Sequence, residues 1–501
     1  MSNTAKKARN FAALSGGALV VASPFVSSGV AHAGTITVDS LADDGSGGTT
    51  LREAIQEANS TGGADTIVFQ SGLSGTITLT GGQLAIDDDV TITGPGSGSL
   101  TVDADGASRA FLLYLYLGSF EVNISGLTIT GGAPPNNGAG IYGHNVELSL
   151  DDVVLDDNDA GTGYGGGIFI GGSGSTLAIT DSTISGNSAS YGGAVYVYEL
   201  ANDSVFLISD SVISDNSSTT HAGGFYMGVN GNYDVTIERS LLSGNTTNGD
   251  GSVGEFKVRA GTEMKIIDST VSGNTADESG ALYFAAVLGD VLIENTTVSG
   301  NASLTGGGVY VNSVAGDGSF TIAHSTITGN TSTNPGEGGE GGGGVYVGGG
   351  TVTLDHTVVA GNTSTLPGAD ISAAGTGAFV GSYSMVGDLD GFTLGGTTNL
   401  PEGNPMLGAL ADNGGPTKTH LPLTGSPLIN SGDPAFASPP AFDQRGEARV
   451  SGGRIDVGAV EVGAATLPPT GGSNGLMASL GAGLLALGGA LHLTGRRKRS
   501  V

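Results

Sequence analysis

The chain has 501 residues, of which 92 are glycine and 13% are charged, and it contains neither cysteine nor tryptophan. With 38% apolar residues and no Gly-X-Y period, the composition excludes simple disorder and collagen, and without cysteine it excludes a disulfide framework. All 47 acidic residues but only ten of the 17 basic ones lie between residues 34 and 470, so nucleic-acid binding is disfavoured.

The N-terminus has the pattern of a secretory signal. Lys6, Lys7 and Arg9 precede an apolar stretch at residues 11–30, and a small-X-small cleavage pattern follows at residues 31–33. We therefore expect a signal peptide at residues 1–33 that is removed on secretion.

The middle of the chain is an internal repeat marked by asparagine, with intervals of 29, 29, 29, 29, 27, 29 and 32 residues. An aliphatic residue lies three positions before each asparagine and another lies eight before, and a glycine cluster with a short β-branched run follows most of them. This asparagine column consists of Asn158, Asn187, Asn216, Asn245, Asn274, Asn301, Asn330 and Asn362.

Three short strands per repeat and no helical periodicity predict an all-β, right-handed, single-stranded parallel β-helix. A propeller is the alternative, but a blade needs about 40 residues. In a β-helix, equivalent residues stack about 4.8 Å apart, so the aliphatic positions form the core and the asparagines form a ladder of side-chain amides.

Residues 50–55 read Thr-Leu-Arg-Glu-Ala-Ile, and the spacing of Leu51, Ala54, Ile55 and Ala58 predicts a helix. The segment resembles the Cys-Ser-Leu-Arg-Glu-Ala-Ile element that opens many secreted β-helices. We expect it to form a short N-terminal capping helix that covers the first strand edge. A binding helix is the alternative interpretation.

Two further segments resemble families of surface proteins. The repeat, as at residues 184–195, resembles the repeats of polymorphic outer-membrane proteins, a family of adhesins and autotransported passengers. Residues 411–417, 425–429, 443–446 and 456–461 resemble the choice-of-anchor Q domain, which occurs with different anchoring signals. The predicted domains are the signal peptide (1–33), the cap and first coils (34–110), the β-helix repeats (111–365), the choice-of-anchor Q-like region (366–463), and the linker with the anchor (464–501).

The C-terminus has three elements in order: a Leu-Pro-Pro-Thr-Gly pentapeptide, an apolar run at residues 476–493 long enough to cross a bilayer, and a basic tail. This order resembles the LPXTG-type sorting signal that sortases attach to the peptidoglycan of Gram-positive bacteria. The resemblance implies cleavage after Thr470 and a covalently wall-anchored protein. The signal residues are Leu467, Pro468, Pro469, Thr470 and Gly471.

Six residues before each asparagine lies a mostly polar position, which we call the turn column. A solvated ladder of turn residues is the simplest interpretation. Calcium at stacked Asp152, Asp181 and Asp210, or a soft metal at His324 and His356, is the alternative, and no metal or other cofactor is assigned. The turn column consists of Asp152, Asp181, Asp210, Arg239, Asp268, Asn295, His324 and His356.

The glycine-led strands carry mostly aromatic residues between aliphatic neighbours, and we call this set the aromatic row. Because strand side chains alternate, its rings are expected to face outwards, either as a glycan-binding stripe or stacked on one another over the sheet. The aromatic row consists of Tyr142, Phe169, Tyr196, Tyr226, Lys257, Tyr283, Tyr310 and Tyr346.

We predict a secreted, wall-anchored, non-catalytic surface protein that binds a glycan or mediates adhesion to a host or neighbouring cell. The alternative is a wall-tethered polysaccharide lyase or hydrolase of the pectate-lyase-like fold, and a structural coat protein is a third interpretation. A lyase needs a positive group near the abstracted proton, and a patch of basic residues from adjacent repeats is the candidate. The patch consists of Arg239, Lys257, Arg259 and Lys265.

Overall fold

The computed structural model describes residues 33–462 apart from 117, 135, 199–203, 228–232, 335–340, 437–439 and 452. Almost all of the predicted signal peptide, and the whole predicted sorting signal with its apolar run, lie outside the described residues. Within the described part, no helix is both long enough and apolar enough to cross a membrane.

The N-terminal helix spans Leu51–Thr61 and begins with a capping box. The Thr50 side chain accepts a hydrogen bond from the Glu53 amide at 3.2 Å, and the Glu53 carboxylate accepts one from the Thr50 amide at 3.0 Å. Its buried face carries the four predicted apolar residues and packs on the first strands of the sheets described next. The predicted capping helix is therefore confirmed.

The described strands form three sheets in which each strand pairs in parallel with the equivalent strand of the next coil, and we call them sheets A, B and C. Sheet A contains Thr35–Val38, Asp65–Phe69, Gly75–Thr78, Val90–Thr93, Leu100–Asp103, Phe120–Thr130, Val146–Asp156, Thr176–Thr180, Thr183–Ser185, Ser204–Ser209, Val212–Ser214, Tyr233–Glu238, Leu241–Ser243, Glu263–Ile267, Thr270–Ser272, Asp290–Glu294, Thr297–Ser299, Ser319–Ala323, Thr326–Thr328, Thr351–Asp355, Val358–Val359, Ala378–Ser382, Met385–Val386 and Leu394–Thr397. Sheet B contains Leu84–Ile86, Phe111–Tyr114, Ile141–His144, Ile168–Gly171, Val195–Tyr198, Phe225–Met227, Gly254–Val258, Leu282–Val287, Val309–Val311, Val345–Val347 and Ile371–Ala373. Sheet C contains Ser188–Tyr191, Ser217–His221, Thr246–Thr247, Thr275–Ala276, Ala302–Ser303, Thr331–Ser332 and Thr363–Ser364.

The core is built from like residues stacked on like residues. In sheet A, Leu148 pairs with Leu177 and Leu177 with Phe206, one coil apart in each case. The aliphatic residues three and eight positions before each asparagine are all fully or almost fully buried. The predicted fold class is confirmed: the protein is an all-β parallel β-helix with a short N-terminal helix.

The asparagine column forms the predicted ladder inside the coils. The Asn216 amide nitrogen Nδ2 donates to Asn245 Oδ1 at 3.0 Å and to the Ile184 carbonyl at 2.9 Å, while Asn216 Oδ1 accepts from the Asn187 backbone amide at 3.1 Å. The same pattern repeats along the column and ends where the Asp370 carboxylate takes the place of the next amide, 2.9 Å from Asn362 Nδ2. Each asparagine side chain therefore forms hydrogen bonds to the coils on both sides of its own.

A second ladder of hydroxyl groups lies five residues before each asparagine. The Ser182 amide donates to Ser211 Oγ, and the Ser211 amide to Ser240 Oγ, each at 3.1 Å. Valine occupies this position in the first repeat, at Val153, and serine or threonine occupies it in the other seven, so the signal was present in the sequence but was not recognised there.

The turn column bends each coil of sheet A through one left-handed residue. All eight residues have φ between 47° and 51°. Aspartate and asparagine tolerate this conformation better than other non-glycine residues, which explains why they occupy most of these positions.

Substituting Asn216 with alanine should destabilise the coils, because it leaves the Asn187 amide and the Ile184 carbonyl buried without their partner. We expect a loss of about 3 kcal/mol in the free energy of unfolding, measured by denaturant titration. The matched control is Asn248→Ala, at an exposed asparagine outside the column, where the loss should stay within about 0.5 kcal/mol. Equal losses in the two variants would contradict a stabilising role for the ladder.

Candidate functional site

The aromatic row lies on the outer side of sheet B in two runs of neighbouring rings. The ring centroids of Tyr142 and Phe169 are 4.8 Å apart, those of Phe169 and Tyr196 are 5.4 Å apart, and those of Tyr196 and Tyr226 are 5.1 Å apart, all nearly parallel. In the second run, Tyr283, Tyr310 and Tyr346 follow at 5.2 and 4.6 Å. The rings of the first run therefore stack on one another at the coil spacing, whereas those of the second run are in contact but tilted by 59° and 30°.

Of the two interpretations left open by the sequence, an exposed stripe is wrong for much of the row, and rings packed on one another over the sheet are what the structure has. Phe169 is 4% exposed, Tyr196 6%, Tyr310 8% and Tyr346 1%, whereas Tyr142, Tyr226 and Tyr283 are partly buried. The physical reason is that each ring covers the face of the next, and further rings cover the flanks of the first run. Burial accordingly raises the pKa of Tyr196 to about 12, with the neighbouring tyrosines contributing.

The place assigned to Lys257 in the row is also wrong, because Glu255 pairs in register with Tyr226 on one side and Tyr283 on the other. The large Phe256 ring fills the space in which a side chain at Gly254 would lie, and its Cζ atom would clash with a Cβ there. Glycine therefore stands before Glu255 where an aliphatic residue is expected. The pattern of an aromatic residue between two aliphatic ones then no longer identifies the outward-facing position in this coil.

Additional rings, which the sequence analysis missed, flank the first run on both sides. On one side, Tyr164 stacks on Tyr196 at 4.8 Å, and Tyr191 stacks on His221 at 5.4 Å. Tyr164, Tyr191 and His221 lie five residues before Phe169, Tyr196 and Tyr226, respectively. This constant spacing could have identified the three rings from the sequence.

On the other side of the row, Tyr198 lies 6.1 Å from Phe169, and Tyr114 stacks on His144 at 5.1 Å. Tyr114, Tyr164 and Tyr198 are each between 36% and 40% exposed, so the accessible aromatic surface lies at the margins of the row. We call the first run and its flanking rings the aromatic face; it comprises Tyr114, Tyr142, His144, Tyr164, Phe169, Tyr191, Tyr196, Tyr198, His221 and Tyr226.

A cluster of ionisable side chains, which we call the Glu255 cluster, adjoins the aromatic face at Tyr226. His221 Nδ1 lies 3.4 Å from Glu255 Oε2 and 3.6 Å from Asp250 Oδ2, and Lys257 Nζ lies 3.4 Å from Glu255 Oε1. The Glu255 side chain is 8% exposed and that of Asp250 is 16% exposed. Burial raises the pKa of the Glu255 carboxyl against the opposing effect of Lys257 and His221.

The tyrosines on both sides of Glu255 respond to this charge. Burial raises the pKa of Tyr226, and the Glu255 carboxylate raises it further. Burial likewise raises the pKa of Tyr283, with Asp250 and Glu255 adding to the effect. Both phenols are therefore neutral hydrogen-bonding groups at physiological pH.

Three of the four basic residues proposed for a lyase are paired with carboxylates. Arg239 contacts Asp210 at 2.6 Å and Glu238 at 2.8 Å, Lys265 contacts Glu263 at 2.9 Å, and Lys257 belongs to the Glu255 cluster. Arg239 lies at a sheet A turn and Lys265 on a sheet A strand, whereas Lys257 lies on sheet B. These three residues therefore do not supply a positive patch on one sheet.

Two of the three calcium candidates are engaged in hydrogen bonds. Asp152 accepts from the Ser97 hydroxyl at 2.7 Å, and Asp210 accepts from Arg239 at 2.8 Å. Asp181 is exposed at its turn. The Asp210 contact lies within the turn column, whereas Asp152 binds a residue outside it.

The turn column ends in a pair of buried histidines next to a carboxylate. The His324 and His356 rings stack at 4.9 Å, and Asp355 Oδ1 lies 2.8 Å from His356 Nδ1. Their nitrogen and oxygen atoms lie within 4.8 Å of one another, close enough to suggest a metal site. However, His356 Nε2 accepts a hydrogen bond from the Asp433 amide at 3.1 Å, so the ring proton belongs on Nδ1, the atom that a metal ion would need. Burial and the positive charge of Arg449 lower the pKa of His324 to about 2, so the His324 ring is neutral.

The described residues of the range 398–462, which we call the lateral segment, cover this end of the turn column. The sheet A strands run to Thr397, beyond the predicted end of the repeats at residue 365, and the chain then returns along the side of the coils. Gln444 Nε2 donates to the Ser269 carbonyl at 2.9 Å, and Gln444 Oε1 accepts from Thr297 at 2.6 Å. Arg449 is 1% exposed and donates to Asn295 Oδ1 at 2.7 Å.

The residues that resemble the choice-of-anchor Q domain hold the lateral segment together. The buried Asp443 carboxylate accepts from the Arg445 guanidinium at 2.9 Å and from the Glu461 amide at 2.8 Å. Glu461 is 2% exposed, and its carboxylate accepts from the backbone amides of Ser451 and Asp456. Burial raises the pKa of Glu461 to about 8, and it also raises the pKa of Asp456. In the structure these motif residues bind the protein's own backbone.

The lateral segment should become less stable as the pH rises from about 4.5 to 8. Glu461 keeps its proton in the folded protein up to about pH 8, whereas the unfolded chain releases it near the ordinary value of 4.5. Its stabilising effect is therefore fully present at low pH and is lost as the folded carboxyl ionises. Hydrogen exchange of the lateral segment amides between pH 5 and 9 measures this, and Glu461→Gln should reduce the dependence. An unchanged dependence in the variant would contradict the assignment.

Comparison with known proteins agrees with this architecture. Residues 167–364 match the family described as a right handed beta helix region, so the class of protein defined by the fold is the right-handed parallel β-helix. Among solved structures, the chain is similar to the A-module of the mannuronan C-5 epimerase AlgE6 from Azotobacter vinelandii. The identity is 12%, the match covers 68% of this chain and 94% of that chain, and the TM-score is 0.28, which carries no information on activity. No curated protein matches significantly.

Proposed function

We propose that the protein is a surface β-helix that binds an extended glycan on its aromatic face without altering it chemically. The observation that carries this proposal is the set of half-exposed rings, Tyr114, Tyr164 and Tyr198, held at the margins of a stacked and largely buried aromatic row. Tyrosine rings offer an apolar face to the C–H surfaces of sugars and a hydroxyl to their polar groups.

The geometry suits a long ligand better than a small molecule. From Tyr142 to Tyr226 the row crosses four consecutive coils, a length of roughly 14 Å at one strand spacing per coil. The buried rings hold the exposed ones rigidly, so little side-chain entropy is lost when a chain lies across them. An exposed aromatic surface of this kind is typical of a binding site.

The proposal includes secretion and covalent attachment to a Gram-positive cell wall. It rests on the order of sequence elements at the two ends of the chain, which lie outside the described residues. Peptidoglycan is then the covalent partner, and the glycan bound on the aromatic face is a separate, non-covalent partner.

The attachment is tested by changing the residue that the sortase would join to the wall. Thr470→Ala should move the protein from the cell-wall fraction to the membrane fraction, as followed by immunoblotting of fractionated cells. Ser473→Ala, just after the pentapeptide, is the control and should leave the distribution unchanged. Wall attachment of the Thr470 variant would contradict the sorting signal.

Glycan binding is tested by retention of the purified protein on a panel of neutral, amino-containing and acidic polysaccharides. The double variant Tyr164→Ala, Tyr198→Ala should lose at least tenfold in affinity, since each exposed ring contributes about 1 kcal/mol. The control is Phe442→Ala, which removes a ring that is 58% exposed on the lateral segment.

The same assay follows the length of each glycan. Retention of no glycan would contradict binding, and shortening of a glycan would contradict a non-catalytic role and support the alternative of a lyase or hydrolase.

A further inference from the structure

The Glu255 cluster brings three hydrogen-bond acceptors together beside the aromatic face. They are Asp250 Oδ2, Glu255 Oε2 and His221 Nδ1, with the nitrogen 3.6 and 3.4 Å from the two oxygens. The Asp250 backbone amide points at His221 Nδ1 from 3.4 Å, which places the lone pair on that nitrogen and the ring proton on Nε2. The three acceptors therefore face one another.

An ammonium group would supply the hydrogen-bond donors and the positive charge that these three acceptors can bind. It carries three donors and a positive charge, whereas a hydroxyl group carries a single donor and no charge. The Tyr226 and Tyr283 positions lie one coil away on either side of Glu255, so two aromatic residues neighbour the cluster, and aromatic rings attract cations. Glu255 is buried at a cost to its charged form, and a bound cation would offset that cost.

Lys257 and Arg109, two cations on this side of sheet B, already have partners. Lys257 lies against the other Glu255 oxygen, at 3.4 Å. Arg109 lies over the Tyr142 ring at 5.0 Å and donates to the Asn136 side chain and to the Gly138 carbonyl. The described face therefore offers acceptors and carboxylates to a ligand, and a uronate or phosphate group would be repelled by them.

We propose that the glycan bound by the aromatic face carries free amino groups, and that the Glu255 cluster holds one of them as an ammonium ion. This inference rests on the proposed glycan-binding function and names its substrate class. Sugar rings lie on the exposed Tyr164, the partly buried Tyr191 and the other exposed rings of the aromatic face, and the amino group of a following sugar is bound by Asp250, Glu255 and His221.

The test compares three glycans of matched length by titration calorimetry: a glucosamine oligomer, its N-acetylated counterpart and an oligogalacturonate. The native protein should bind the glucosamine oligomer at least tenfold more tightly than the N-acetylated one, and the oligogalacturonate most weakly. The double variant Asp250→Asn, Glu255→Gln should bind both hexosamine oligomers alike. The control Asp181→Asn, Asp317→Asn removes the same charge at two exposed residues and should keep the preference.

A competition measurement on the native protein tests the inference even if the double variant fails to fold. Free glucosamine should displace the bound oligomer at lower concentration than free N-acetylglucosamine. Equal affinity for the two oligomers, equal displacement, or a preference that survives in the folded Asp250 and Glu255 variant would overturn the amino-group inference alone. Binding of none of the three glycans would overturn the glycan-binding function as well.

Discussion

The buried amide ladder is the constraint on which the rest of the structure depends. An asparagine whose Nδ2 donates to the next coil and whose Oδ1 accepts from the previous one has satisfied partners only when adjacent coils are in register. The hydroxyl ladder beginning at Ser182 imposes the same condition at a second corner. Because unpaired polar groups are costly in a dry core, these two ladders hold the register while the aliphatic residues supply most of the stabilisation.

A fixed register explains why surface residues form continuous rows. Side chains one repeat apart lie one strand spacing apart, so a tyrosine retained in successive repeats becomes a stack and an aspartate becomes a charged ladder. At the turns, repulsion between successive acidic residues is relieved by an arginine at Arg239, which binds Asp210. On sheet B the stacked rings are interrupted at Glu255, and the interruption produces a mixed-charge cluster in an otherwise aromatic surface.

The fold could be predicted from the sequence because its signals are periodic and local. Asparagine spacing, aliphatic positions and the capping-box residues each depend on one repeat or one turn. Prediction failed where the outcome depended on contacts between coils. The position of Glu255 required knowing that the Phe256 ring fills the space above Gly254, and the burial of Tyr196 required knowing that Tyr164 lies over it.

The lateral segment could not be placed either. Its docking onto the turn column uses contacts between residues well over a hundred positions apart, such as Thr297 with Gln444. The choice-of-anchor Q-like motif marked the residues involved, but their partners within the segment and on the coils have no shared periodicity that a sequence alone reveals.

The docking of the lateral segment also determines how mechanical load enters the molecule. The chain continues towards its C-terminus from Val462, whose amide is bound to Asp456 on the flank of the coils. A pull from that end would first shear the contacts of Gln444 and Arg449 along the side of the solenoid, where several hydrogen bonds must break together. The last coil would not be peeled away strand by strand. In a protein tethered at this end, the solenoid would resist drag from its side, and the strand edge at its end would bear little of the force.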